Sequence, residues 1–186
     1  MVKIGIIVAN GTEDSELVVP VDIWNRAGII TKIISIHKKK NVLLANGIKV
    51  SCHETLDVEN LSKYNAIYLP GGTKGVEQLS STNTPKLINF LKGNTNSNVW
   101  FLSICAATSI YGKLGMLKGV KATCYPGYES SFRSSYVKQP VVVSKHFITA
   151  NGPGNVFDFA FKVVEKLVSP AMAKKVANDM LYKGNK

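Results

Sequence analysis

Short apolar runs alternate with amphipathic stretches along the chain. Residues 4–8 form a compact apolar run, as expected of a strand covered on both faces of a parallel sheet. Asn10-Gly11-Thr12 reads as a loop, and a helix follows over 15–27, closed by Gly28. Further strands are predicted at 29–36, 66–69, 99–104, 121–124, 141–143 and 147–149. Val42-Leu43-Leu44 and Ile48-Lys49-Val50 flank Asn46-Gly47, a dipeptide that favours a hairpin turn. A helix near 86–91 leads to the strand at 99–104, Gly152-Pro153-Gly154 opens a long helix through Val168, and a short helix covers 171–181. No repeat, linker or low-complexity segment interrupts the series. The pattern predicts a single α/β domain over 1–186, with a mainly parallel sheet between helices.

The first helix has a wide apolar arc. Leu17, Val19, Pro20, Val21, Ile23, Trp24 and Ala27 cover about 200° of the wheel, against the ~100° stripe that one sheet face buries. Either the helix is buried deeply between layers or it meets a second copy of the chain.

Composition narrows the function classes. The chain has 186 residues, 45% hydrophobic and 19% charged, enough for one domain with a substantial core. The net charge of +11 is almost all lysine, with Arg26 and Arg133 the only arginines. Apart from Lys38-Lys39-Lys40 the lysines are scattered and not interleaved with aromatics. This is a solvated basic surface suited to attracting anionic metabolites, not a nucleic-acid platform. Cys52, Cys105 and Cys124 form no C-x-x-C pair, which argues for reduced thiols in the cytoplasm. The N-terminal apolar stretch is too short for a signal peptide, no segment has the ~18 apolar residues of a membrane span, and Gly184-Asn185-Lys186 carries no recognisable address.

Candidate chemistry centres on Cys105. It follows the apolar run Val99-Trp100-Phe101-Leu102-Ser103-Ile104 and precedes the small residues Ala106-Ala107-Thr108-Ser109. That reads as strand, sharp turn and helix, with the thiol on the turn, where free N–H groups favour a thiolate. In an open α/β sheet, ligands bind at the carboxyl ends of the strands. Three segments end there: Glu13-Asp14-Ser15-Glu16 after the first strand, Pro70-Gly71-Gly72-Thr73 after the strand at 66–69, and Cys105. Together they supply a nucleophile, a proton-moving carboxyl group and backbone N–H donors for an oxyanion. Each has a plainer reading: a small core side chain for Cys105, a tight turn for Gly71-Gly72, helix N-terminal charge for the acids. His37, His53 and His146 have no metal-ligand spacing, and Cys52 and Cys124 read as structural. Gly152-Pro153-Gly154 matches no nucleotide-binding pattern. No metal or cofactor is expected.

Glu16 after the first strand, Leu69-Pro70-Gly71-Gly72, Ile104-Cys105-Ala106 and Asn151-Gly152-Pro153-Gly154, in this order, resemble the DJ-1/ThiJ/PfpI superfamily. Val19-Pro20-Val21-Asp22-Ile23 with Arg26-Ala27-Gly28 is similar to its DJ-1 branch. The resemblance implies a flavodoxin-like three-layer α/β sandwich and a homodimer joined through the first helix, over 17–27. It implies Cys105 as an oxidation-prone nucleophile, Glu16 as its carboxyl partner, and an oxyanion pocket made by Gly72 and Ala106, with Gly71 beside it. The activities implied are cofactor-independent glyoxalase action on methylglyoxal or glyoxal and deglycation of protein adducts. The alternative is a redox-sensing chaperone for misfolded proteins that works through Cys105 sulfinate.

One position departs from the family pattern. Thr123-Cys124-Tyr125-Pro126 puts Tyr125 where the family often has a histidine. A phenol of pKa ~10 cannot serve as an imidazole base at neutral pH. This disfavours a Cys-His peptidase and leaves Tyr125 to orient a substrate carbonyl.

Overall fold

The computed structural model describes residues 1–80, 84–95 and 97–184, so the last two positions of the C-terminal Gly184-Asn185-Lys186 lie outside the described residues. The elements follow in the order β1 (Lys3–Val8), α1 (Asp14–Arg26), β2 (Ile30–Ser35), β3 (Asn41–Leu43), β4 (Lys49–Ser51), β5 (Glu54–Thr55), β6 (Ala66–Leu69) and α2 (Thr73–Leu79). Then come α3 (Pro85–Gly93), β7 (Trp100–Ile104), α4 (Thr108–Lys113), β8 (Val141–Ser144), β9 (Phe147–Ala150), α5 (Val156–Leu167) and α6 (Pro170–Asp179). Seven strands form one sheet in the order β5-β2-β1-β6-β7-β9-β8. All neighbours in it are parallel except β8 with β9, and β3 and β4 form the separate hairpin foretold by Asn46-Gly47. This is the flavodoxin-like α/β fold.

Alternation along the strands divides the core between two faces. Ile4, Ile6, Val8, Tyr68, Leu102 and Ile104 pack with Trp24 of α1 and Phe159 of α5. Ile7, Ile67, Leu69 and Phe101 pack on the other face with Val76, Leu79, Leu87, Leu91 and Ile110 of α2, α3 and α4. Helix α5 buries Val156, Phe159, Ala160, Val163 and Val164, the spacing of a core-facing helix stripe. Helix α1 packs against it, and Trp24 Nε1 donates to the Ala160 carbonyl at 3.1 Å. Leu17, Pro20, Ile23, Trp24 and Ala27 are thereby buried within the chain, while Val18 stays 50% exposed and Val19 and Val21 are partly buried. No helix among the described residues is long and apolar enough to cross a membrane.

Two expectations need correction. Residues 121–124 are not a strand: they make only an isolated bridge, Ala122 with Tyr136. Both sides of β9 are taken, by β7 and β8, so this segment cannot pair with β9 as a strand. It is tied down instead by Thr123 N donating to Thr149 Oγ1 at 3.0 Å and Val137 N donating to the Ala122 carbonyl at 2.9 Å. The Pro-Gly-Gly-Thr segment is more than a turn, because Thr73 starts α2. This short helix was hidden by Gly75 and by an apolar stripe of only Val76 and Leu79.

Candidate active site

Strand order reverses at β1, which is flanked by β2 on one side and β6 on the other. The loops leaving β1 and β6 therefore diverge at a topological switch point, where open α/β sheets hold ligands. The loop after β1 carries Glu16 into the first turn of α1, and the loop after β6 carries Gly71 and Gly72. The next strand, β7, ends at Cys105. Five expected residues (Glu16, Gly71, Gly72, Cys105 and Ala106) come together here.

Glu16 is fully buried. Its Oε2 accepts from Gly71 N–H at 2.7 Å, while its Oε1 has no hydrogen-bond partner. Tyr68, in the middle of β6, donates its hydroxyl to the Glu16 backbone carbonyl at 2.6 Å and stacks edge-on to Trp24. The glycine turn closes tightly over the β1 loop: Gly71 O accepts from Glu13 N–H at 3.1 Å, and Gly72 adopts φ +92°. A Cβ on Gly72 would strike Gly11 O and Glu13 N, so the turn requires glycine.

Cys105 has φ +61°. For a non-glycine residue this left-handed conformation costs about 1–3 kcal/mol and persists only where the surroundings enforce it. Here the enforcement is a set of short bonds. Ser103 and Thr108 hydroxyls meet at 2.8 Å, Ser109 Oγ donates to the Ala106 carbonyl at 2.8 Å, and Tyr111 donates its hydroxyl to the Leu102 carbonyl at 3.1 Å. On the far side, Tyr125 N–H donates to the Cys105 carbonyl at 3.2 Å. The N–H groups of Ala106 and Gly72 both point at the Cys105 sulfur.

Protonation in the pair differs from the thiolate expected of a strand-turn-helix cysteine. Burial, and next the Glu16 charge, push the Cys105 thiol up to about 12, against the opposing pull of the Ala106 and Gly72 N–H groups. Burial also raises Glu16 to about 7, although the Gly71 N–H bond works the other way. Backbone donors reach the sulfur as the sequence suggested, but they follow a single 3-10 turn, Cys105–Ala107, and a buried carboxyl faces them. Below pH ~7 the pair is fully protonated; above it, the two groups share one proton.

Tyr125 lies at the rim, 47% exposed, with its ring over Gly152 and edge-on to Tyr128 at 6.5 Å. It touches Cys105 through its backbone. The histidines serve structure: His37 Nε2 accepts from Asn10 N–H at 3.0 Å, His53 Nδ1 accepts from Ile33 N–H at 3.0 Å, and His146 packs on Trp100. Burial lowers the His37 pKa. Cys52 and Cys124 are buried and their thiols are pushed up, to about 11 and about 12, by desolvation. No group of three or more metal-ligating side chains stands together among the described residues.

Sequence reasoning missed Tyr68, Ser103, Thr108 and Tyr128. Tyr68 left a signal: a phenol within a buried apolar strand needs a hydrogen-bond partner, and in this fold the partner belongs to the site.

Comparison with known proteins gives the family and the fold. Residues 2–166 match the DJ-1/PfpI family. Protein DJ-1 homolog B of Arabidopsis thaliana is 33% identical over 161 residues, 86% of this chain, though the match spans only 36% of that protein. A Schizosaccharomyces pombe protein named glutathione-independent glyoxalase DJ-1 is 28% identical over 181 residues, 91% of this chain and 93% of that one. Among solved structures, oxidized Toxoplasma gondii DJ-1 superposes with a TM-score of 0.93 at 28% identity, covering 99% of this chain and 100% of that chain. The match over nearly the whole chain, together with the strained cysteine and its buried glutamate, makes this protein a member of the DJ-1/PfpI family.

Proposed function

We propose that the chain is a glutathione-independent glyoxalase that converts methylglyoxal or glyoxal, free or as protein adducts, to hydroxy acids without metal or cofactor. One observation carries this reading: a buried carboxyl and a cysteine of strained backbone meet where a Gly71 side chain would stand, with two N–H donors at the sulfur. The name of the S. pombe relative supports it.

The starting form is Glu16 carboxylate beside Cys105 thiol. The carboxylate takes the thiol proton as sulfur attacks the aldehyde carbon. Gly72 and Ala106 N–H groups hold the resulting oxyanion, which then receives that proton and becomes a hemithioacetal. Glu16 removes the C1 proton to give an enediol and returns a proton to C2. The aldehyde carbon is thereby oxidised and the ketone carbon reduced within one molecule. Water hydrolyses the lactyl thioester and frees the thiol. Tyr125, at the rim, orients the substrate carbonyl.

In D2O, methylglyoxal is expected to give lactate deuterated at C2, as followed by proton NMR. The rate should rise with pH through about 7, as the pair loses its first proton. A rate independent of pH between 5 and 9, or no lactate, would contradict the mechanism.

In this reading the active form is a cytoplasmic homodimer joined through α1, where Val18 is 50% exposed. Equilibrium sedimentation should return twice the 20.2 kDa chain mass; the single chain mass would refute the dimer.

A second reading, a peroxide-sensing chaperone for damaged proteins, is favoured by the free Glu16 Oε1. Protonated, that oxygen would donate to a Cys105 sulfinate. The lactate assay separates the two, because a sensor needs no turnover.

A further inference from the structure

Three Asn-Gly dipeptides occur in the chain, at 10–11, 46–47 and 151–152. Such a pair is chemically unstable, because glycine has no Cβ to shield its nitrogen from the asparagine side chain. The structure locks two of the three. Asn10 Oδ1 accepts from Leu43 N–H at 2.9 Å, and Gly11 N–H donates to the Leu43 carbonyl at 2.8 Å. A Cβ on Gly11 would lie 2.7 Å from Lys74 Cβ, so this loop is crowded as well. Asn151 Oδ1 accepts from Asn155 Nδ2 at 2.7 Å, and Gly152 is buried. Asn46 and Gly47 are different: both are exposed, at the tip of the β3–β4 hairpin. A Cβ on Gly47 would meet nothing within 4 Å beyond its chain neighbours, and Gly47 N–H makes a long bond, 3.3 Å, to the Leu44 carbonyl.

Asn46 also fastens the hairpin to the site. Ala45 N–H donates to the Thr12 carbonyl at 2.8 Å, and Asn46 N–H donates to Asp14 Oδ2 at 2.8 Å. Asn46 Nδ2 donates to the same Asp14 oxygen at 3.1 Å and to Glu13 Oε1 at 3.4 Å. Asp14 is buried, and its Oδ1 has no hydrogen-bond partner among the described residues, so the carboxyl depends on what Asn46 gives its other oxygen. Glu13 N–H holds the Gly71 carbonyl, and Gly71 N–H holds Glu16 Oε2. The contacts thus run from Asn46 through Glu13 and Gly71 to the Glu16 carboxyl.

We infer that Asn46 is a deamidation site, and that its conversion to aspartate or isoaspartate releases the hairpin from the loop that carries Glu16. The Gly47 nitrogen attacks Asn46 Cγ and passes its proton through water to the side-chain amide, which leaves as ammonia. The new N–C bond closes a succinimide ring, and water then opens that ring at either carbonyl. The net change is one water taken up and one ammonia lost, with no oxidant. The product has no donor where Asn46 Nδ2 stood. Its carboxylate faces Asp14 and Glu13, so two hydrogen bonds become like-charge contacts. Isoaspartate also lengthens the turn by one backbone carbon.

Peptide mapping of wild type held at mildly alkaline pH locates the change by the mass gained when an amide becomes an acid. Asn46 should convert before Asn10 and Asn151. Asn46→Asp installs the charge at once, and amide hydrogen exchange reads its effect. Exchange at Gly11 and Ala45 should rise about tenfold, the factor that one hydrogen bond to a charged group supplies. Gly71 should follow, and amides within β7 should not change. Aged wild type, purified by ion exchange, should show the same pattern, so the test survives a variant that fails to fold. Earlier conversion of Asn10 or Asn151, or an Asn46 that stays intact, overturns the site. Exchange unchanged at Gly11 and Ala45, or raised equally throughout the chain, overturns the release of the hairpin. Unchanged exchange at Gly71 overturns its reach to Glu16. No readout needs turnover, so the result stands apart from the glyoxalase reading.

Discussion

Gly71→Ala is expected to cut lactate formation about 100-fold or more while the protein still folds. An added Cβ would lie 2.5 Å from Glu16 Oε2, 2.7 Å from Cys105 Cβ and 3.1 Å from the Ile104 carbonyl. Real Cβ atoms do not approach so closely, so the carboxyl and the cysteine must separate. The backbone of Gly71 has no positive φ, so alanine meets no conformational penalty there and the effect is purely steric. A displacement of about 1 Å at reacting groups costs on the order of 100-fold in rate. Overpacking costs about 1–3 kcal/mol of stability. Steady-state kinetics and a urea titration check both. Wild-type turnover in this variant would mean that the carboxyl and thiol need not hold their observed places.

Glu16→Gln is expected to make the protein more stable and inactive at pH 8. Burial raises the folded-state pKa of Glu16 from an ordinary 4.5 to about 7. The folded state therefore holds its proton at pH values where the unfolded chain has released it. Stability from this group is fully present below pH ~4.5 and is lost as pH rises through about 7. Above that, the buried carboxylate costs roughly 3 kcal/mol, at ~1.4 kcal/mol per pKa unit. Glutamine is neutral throughout, and its carbonyl can still accept from Gly71 N–H. The stabilisation should therefore be roughly 3 kcal/mol at pH 8 and vanish near pH 4, as read from urea midpoints. The same excess at both pH values would show that burying the Glu16 charge carries no cost. The site thus stores instability that the reaction uses, a common trade between stability and activity.

The sheet was legible in the sequence because its strands are nearly continuous apolar runs: 4–8, 66–69 and 99–104 needed no arbitration. The segment at 121–124, Lys121-Ala122-Thr123-Cys124, is half polar, and the place beside β9 is taken by β8. The convergence of Glu16, Gly71, Gly72 and Cys105 was foreseeable from their common position after parallel strands. The protonation of the pair was not. It depends on how completely the fold excludes water from Glu16, and no local pattern encodes that. Tyr128 escaped notice for a similar reason, since its partner Thr73 lies 55 positions away. The wide arc of the first helix was split by the structure: Leu17, Pro20, Ile23, Trp24 and Ala27 are buried, and Val19 and Val21 only partly so.

The most direct measurement is lactate formation from methylglyoxal, without glutathione or added metal, by reduced wild type, Cys105→Ser and Glu16→Gln side by side. The account predicts lactate from the wild type and background rates from both variants, each still folded. No lactate from the reduced wild type, or undiminished lactate from either variant, would contradict it.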